Sequence, residues 1–285
     1  FQDGLLNVLV RSDSGGDAMW NPEFSSGRVA LLRMPLGRFG DGRREVPDRF
    51  YRLLPEAKGD GYAFQNRYVG DYLLYGVGGS WGAPKEGRAV LRAVALKSGN
   101  VFDVALTHGV DRIEAMGRDA VVVGSSDSDL TFSSVELGAA GGPRLGDAYT
   151  LRGAAQGETR SQGFFFKPDA QSGEEGAGVL GLPVAHAGRP GYRQLAENSA
   201  SIIFLRRTNR KFMPLGELWS REEGVADDAC EASCVDWYGN ARPIFLRGRT
   251  FALMGYEIVE GEVGPQSLRE TRRTSFAPKL PKARR

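Results

Sequence analysis

Two cysteines and two histidines are all that 285 residues supply of the side chains that most often hold transition metals. A structural zinc site takes about four such ligands. Cys230 and Cys234 stand far from His108 and His186 in the chain, so no metal centre is expected. No apolar run approaches the roughly eighteen residues of a membrane-spanning helix, which excludes that mode of insertion. Helical spacing of apolar residues is missing as well, and Leu218 to Gly224 is the one segment that reads as a helical turn. With neither an initiator methionine nor a signal peptide ahead of Phe1, the chain reads as a processed product or a fragment.

Charge of one sign is also lacking: 37 Lys and Arg face 35 Asp and Glu, a net charge of +2. The balance is uneven along the chain. From Pro265 onward Arg269, Arg272, Arg273, Lys279, Lys282, Arg284 and Arg285 are opposed by Glu270 alone, which leaves a mildly acidic body. That is not the footprint of a nucleic-acid-binding domain. The expected division is a folded body over 1–264 and a basic, proline-containing tail over 265–285 that can meet a membrane surface or stay solvated.

Glycine (39) and proline (14) are plentiful, together above the roughly 12% of average usage, and they punctuate short apolar runs. Runs of four to eight apolar or alternating residues between turn signals are the mark of β-strands. Leu5 to Val10, Val29 to Met34, Arg67 to Val77, Ala89 to Leu96 and Val101 to Leu106 read this way, with Leu36 to Asp60 as an outward loop. Asp111 to Met116, Ala120 to Gly124, Leu130 to Leu137 and Tyr149 to Ala154 form the clearest unit, a four-stranded antiparallel sheet. Its second strand is continuously apolar, as in strands buried on both faces. Ser161 to Lys167, Val179 to Val184, Ile202 to Arg206, Phe212 to Trp219, Pro243 to Arg247 and Thr250 to Val259 bring the count to about sixteen strands. Four-stranded meanders in series predict an all-β fold, a β-propeller of four-stranded antiparallel blades. Sixteen strands make about four blades, at the low end of the four to eight of closed propellers.

Five stretches carry a resemblance: R-I-E-A-M-G-R-D-A-V-V-V-G-S-S from Arg112, L-T-F-S-S-V-E-L from Leu130, G-E-T-R-S-Q-G-F-F-F-K-P-D from Gly157, G-V-L-G-L-P-V from Gly178, and the run from Cys234 to Gly261. Over residues 90–263 the chain resembles the C-terminal blades of exported bacterial β-propeller proteins. The resemblance implies the fold and export, and, since these are the end blades of longer proteins, a ring incomplete in this chain with the remaining blades on another chain or a removed segment; it carries over no catalytic residue.

Cys230 and Cys234, with three residues between them in an acidic loop, are read as a local disulfide in preference to metal ligands. This places the protein in an oxidising compartment: extracellular, at the cell surface or periplasmic. Beside them Trp237, Tyr238 and Asn240 form a polar aromatic turn, the candidate interface, since aromatic side chains on an ordered turn are favoured anchors. Gly78-Gly-Ser-Trp-Gly82 matches G-x-S-x-G, but Ala83-Pro84 follows where that nucleophile turn needs a helix. Asp127 and Asp129 are spaced for calcium without the full acidic loop, so no cofactor is expected and calcium is the residual candidate. Arg206 to Lys211 reads as a solvated basic hairpin tip, with an anion-facing or partner-facing loop as the other reading.

The function expected is that of a non-enzymatic exported propeller, a protein-interaction or structural subunit of a surface or extracellular assembly. Other protein chains are its expected partners, with no nucleic acid. The alternatives are a hydrolase or lyase using His108 with Asp103 or Asp111 in an axial channel, and a carbohydrate-binding propeller stacking sugars on Trp20, Trp81 or Trp237.

Overall fold

A computed structural model describes residues 1–11, 28–59, 63–79, 89–186, 199–220, 241–254 and 257–276. These residues form antiparallel sheets, and the only helical geometry among them is single 3-10 turns at Leu36–Arg38, Asp48–Phe50 and Ser161–Gly163. Among the described residues no helix is long and apolar enough to cross a membrane.

Five sheets follow one another along the chain. The first joins β1 (Leu5–Arg11), β2 (Val29–Pro35) and β3 (Tyr51–Leu54). The second is the meander β4 (Ala63–Val69), β5 (Tyr72–Gly78), β6 (Val90–Ala95) and β7 (Val101–Ala105). The third is β8 (Arg112–Met116), β9 (Asp119–Ser126), β10 (Asp129–Glu136) and β11 (Arg144–Leu151). In the fourth, two short strands, β12 (Ala154–Gln156) and β13 (Phe165–Pro168), pair with opposite ends of β14 (Gly178–His186), followed by β15 (Ser199–Thr208) and β16 (Lys211–Trp219). The fifth is β17 (Arg242–Leu246), β18 (Arg249–Met254), β19 (Glu257–Val263) and β20 (Leu268–Ser275).

The sheets stack face to face in chain order because alternate side chains of their central strands serve two different cores. In β9, Ala120 and Val122 join Leu74, Leu91 and Val104 of the second sheet, while Val121 and Val123 join Leu180, Leu182 and Ile203 of the fourth. In β15, Ile203 and Leu205 face the third sheet, and Ile202 and Phe204 face the fifth. Leu73 and Tyr75 of β5 close on Val29 and Leu31 of β2. The continuous apolar runs in the sequence are therefore strands with both faces covered. First strands lie beside first strands and last beside last, β4 against β8 and β16 against β20. Among the described residues four apolar clusters lie between the five sheets, and none of these joins the first sheet to the fifth.

The expected four-stranded meanders are present, with several boundaries corrected. Arg67 to Val77 is a hairpin, turning at Gly70-Asp71 between β4 and β5. The loop expected over 36–60 contains β3, and Thr250 to Val259 spans parts of two strands. The basic segment assigned to a tail from residue 265 continues the fold, because Leu268–Ser275 pairs with β19 as the last strand of the fifth sheet. Its charges hid it: an edge strand open to solvent needs little apolar alternation.

One junction brings backbone closest to backbone. Residues 108–111 run between the second and third sheets, where Gly109 N donates to Ser125 O (3.1 Å), Val110 N to Val77 O (2.9 Å) and Asp111 N to Val123 O (3.0 Å). A Cβ at Gly124 would stand 1.7 Å from the carbonyl oxygen of Gly109, whereas one at exposed Gly138 would meet nothing within 4 Å. Gly124→Ala is expected to cost about 3 kcal/mol or more through forced backbone displacement, and Gly138→Ala to change stability by at most about 1 kcal/mol. Urea unfolding of the two variants against wild type measures the difference.

Candidate functional site

His108 is the side chain that most invites a catalytic reading, and the structure makes it a tie between strands. It is 0% exposed, with Nδ1 2.7 Å from Gly109 O and Nε2 2.7 Å from Ser133 Oγ. A carbonyl oxygen can only accept, so Nδ1 carries the hydrogen and Nε2 accepts from the Ser133 hydroxyl. A serine–histidine pair is thus present in a sealed interior that a substrate cannot enter. Burial pushes the imidazole pKa down, against smaller opposing effects of the Gly109 carbonyl and the Asp111 charge, which keeps the ring neutral.

The acids proposed to work with it are engaged elsewhere. Asp111 accepts from Gly79 N at 2.6 Å and Ser125 N at 2.7 Å, joining β5 to β9 through one carboxylate. A Cβ at Gly78 would come within 2.2 Å of this carboxylate, so the first glycine of the G-x-S-x-G match serves a close approach between sheets. Asp103, on β7, pairs with Arg92 and lies 3.9 Å from Lys58. The three groups do not converge on a cavity. His186 ends β14, opposite Ala154 and Ser199.

Asp127 lies in the β9–β10 turn at φ 52°, and Asp129 accepts from Gly153 N at 3.0 Å. No group of three His, Cys, Asp or Glu suited to a metal occurs among the described residues. Cys230, Cys234, Trp237, Tyr238 and Asn240 lie outside the described residues, as do Trp20, Trp81 and the centre of the G-x-S-x-G match.

The basic run at 206–211 divides between an exposed turn and one buried arginine. Asn209 and Arg210 take positive φ at the β15–β16 turn, and their amides donate to the Glu174 carboxylate at 2.8 and 3.2 Å. Arg207 is 0% exposed. Its guanidinium donates to Asp119 (2.7 Å), Ser134 (3.3 Å) and the Gly176 carbonyl (2.9 Å), and Arg210 reaches the same Asp119 at 3.0 Å. Arg207 is a buried ionic tie from the fourth sheet to the third, while Thr208, Asn209, Arg210 and Lys211 at the turn are exposed, as a solvated tip would be.

A second tie links the first strands of three sheets and was not anticipated. Arg67 of β4 pairs with Glu114 of β8 and donates to Ile113 O at 3.0 Å. Arg112, beside it, donates to Glu114 (3.0 Å), to Gln156 of β12 (2.9 Å) and to the carbonyls of Glu158 (2.9 Å) and Arg160 (2.8 Å). Burial, helped by the Arg67 charge and opposed by Glu158, lowers the Arg112 pKa to about 10, still cationic at neutral pH. Burial resists ionisation of Glu158, but hydrogen bonds and charge from Arg160, with Arg112 behind, outweigh it and hold the carboxyl below its ordinary range. The signal in the sequence was two charges, Arg112 and Glu114, on one face of an otherwise interior strand.

A cleft of about 680 Å³ opens between the fourth and fifth sheets. Lys167, Val179 and Arg206 form one row across β13, β14 and β15, and Phe245, Thr250 and Gly261 form the facing row. Arg206 donates to Gly264 O at 2.8 Å, and Arg249 grips Glu260 at the rim with two contacts of 2.6 Å. Charges of both signs around a phenyl ring suit a small polar ligand, and the lining offers no histidine, cysteine or serine nucleophile.

The outer face of the fifth sheet carries Ile244, Phe251, Leu253 and Ile258 in register, with Leu246 at its end. Leu246 is 57% and Ile258 38% exposed. A hollow of about 100 Å³ lies among Phe251, Ile258, Arg272 and Thr274 on this face.

No family model matches the sequence, and no curated protein matches it. Among solved structures, the N-terminal domain of Nup159 is similar at TM-score 0.36 and 10% identity, covering 90% of this chain and 63% of that one. The Bombyx mori GH32 beta-fructofuranosidase BmSUC1 is similar at TM-score 0.31 and 10% identity, covering 95% of this chain and 60% of that one. The chain spans less than two thirds of either structure, and likeness at this level says nothing about activity.

The state of His108 gives a pH dependence with a definite sign. Its folded pKa lies below the ordinary value of 6.5, so below that pH the unfolded chain binds the proton more readily and stability falls as pH falls. Thermal unfolding is expected to show a decline from pH 7 to pH 5 in wild type and a shallower one in His108→Gln; equal slopes refute the sealed neutral imidazole.

Proposed function

We propose that this chain is an arc of a β-propeller that works as a non-enzymatic interaction or structural subunit of an exported assembly. The observation that carries the reading is the series of five antiparallel sheets stacked through apolar faces, with an outer face on the fifth whose apolar centre is bordered by charge. Groups that often do chemistry in other proteins, His108, Ser133, Asp111, Asp119 and Arg207, are spent on holding neighbouring sheets together. A rigid stack with mixed-charge clefts and varied turns is suited to presenting surfaces to partners. Function is argued from such sites, since a fold of this kind hosts many activities.

Export is supported by the resemblance over residues 90–263 and by the spacing of Cys230 and Cys234. A disulfide closing so short a loop acts mainly on loop shape, because the entropy of closing it is small. In denatured protein isolated without reductant, no thiol is expected to react until a reductant is added. Two reactive thiols at the outset would remove the argument for an oxidising compartment.

The enzymatic alternative meets a direct measurement. Purified protein is expected to give no turnover of ester, peptide or glycoside substrates; turnover abolished in a folded His108→Gln variant would overturn the reading.

A further inference from the structure

We infer that the outer face of the fifth sheet docks a further antiparallel β-sheet module, folded from residues outside 1–285, that continues the stack. The inference rests on the propeller reading above and names the partner that this face fits.

The molecule itself shows what covers such a face. In each of its four junctions an apolar sheet face is covered by the face of the next antiparallel sheet, and the clusters run along central strands at alternate positions. The outer face of the fifth sheet repeats that pattern. Ile244 on β17 stands opposite Phe251 on β18, and Leu253 stands opposite Ile258 on β19, so four apolar side chains share the centre of one face. Charge borders them on both sides: Arg242 stands opposite Leu253, and at the other end Arg249, which lies over the Phe251 ring, and Arg272 bracket Glu260. The hollow beside Phe251 and Ile258 is the size of a single side chain, and interdigitation of side chains is how stacked sheets fill the space between them. Among the described residues no cluster packs on this face.

A second copy of the chain is the less suitable occupant. Rings of such sheets close with roughly four to eight members. Five are present among the described residues, so a copy would bring ten, whereas a ring of six to eight takes about one to three more. The occupant is therefore a shorter run of sheets with an apolar face, able to seat one branched or aromatic side chain in the hollow and to place a carboxylate against Arg272.

Site-specific photocrosslinking tests this in cells that make the native protein. A benzophenone amino acid in place of Ile258 is expected to give crosslinked peptides from outside residues 1–285 with alternating apolar sequence. The same group at Leu145, exposed on β11 of the third sheet, should give none of these peptides. Ile258→Arg is expected to lower the yield of the native particle above 30.9 kDa at least tenfold, with Leu145→Arg unchanged. Crosslinks from Ile258 to residues 5–10 or 29–34 of the same molecule would overturn the inference and show that the five sheets close on themselves. Crosslinks to those residues of a second copy, or no crosslink, would also overturn it. Each of these leaves the non-enzymatic reading standing, because that reading falls only to turnover.

Discussion

Everything in this fold depends on one constraint: a sheet whose two faces are both apolar cannot stand in water. Burying a Leu, Ile, Val or Phe side chain is worth about 1.5–3 kcal/mol, and β9 alone commits Ala120, Val121, Val122 and Val123 to two cores on opposite sides. A middle sheet of this kind needs a neighbour on each side. The order of sheets in space then follows the order in the chain, since short connections place each meander beside the one before it.

Apolar stacking holds sheets together without fixing their register, and the polar ties supply what it lacks. Asp111, Arg207 and Arg112 each cross a junction and each satisfy several groups with defined directions. Buried ion pairs of this kind add little net stability over apolar packing, but losing one partner is expensive, because the other is left charged and unpaired. Glycines at 78 and 124 belong to the same design, since they let strands approach the crossing segment where any side chain would collide. The residues with the most chemical character are accordingly the least accessible.

The fold was largely legible in the sequence because alternation and turn residues report directly on strands. The meander of the third sheet could be read almost strand by strand, and β9 announced a doubly buried position. What escaped was polar. β20 has Arg269, Arg272 and Arg273 where alternation would show, β3 is only four residues long, and β12 and β13 share one position in the fourth sheet. The site was far less legible. Sequence spacing put His108 near Asp103 and Asp111 along the chain, while the paired strands assign each a separate partner. Arg207 and Asp119, 88 positions apart, meet only because β15 and β9 lie in adjacent sheets.

Sheets can recruit a partner through an edge or through a face, and the fifth sheet is built differently at the two. Its outermost strand carries Arg269, Arg272 and Arg273, and charged side chains on a free strand are a common device against edge-to-edge pairing. Arg273 also turns inward to Glu257 and to the Trp219 carbonyl, tying that edge to the fourth sheet. The face next to it keeps Phe251, Leu253 and Ile258 half-buried or exposed. Growth along the edge is thus opposed while growth by stacking is favoured, which is the same direction in which the four existing junctions were made.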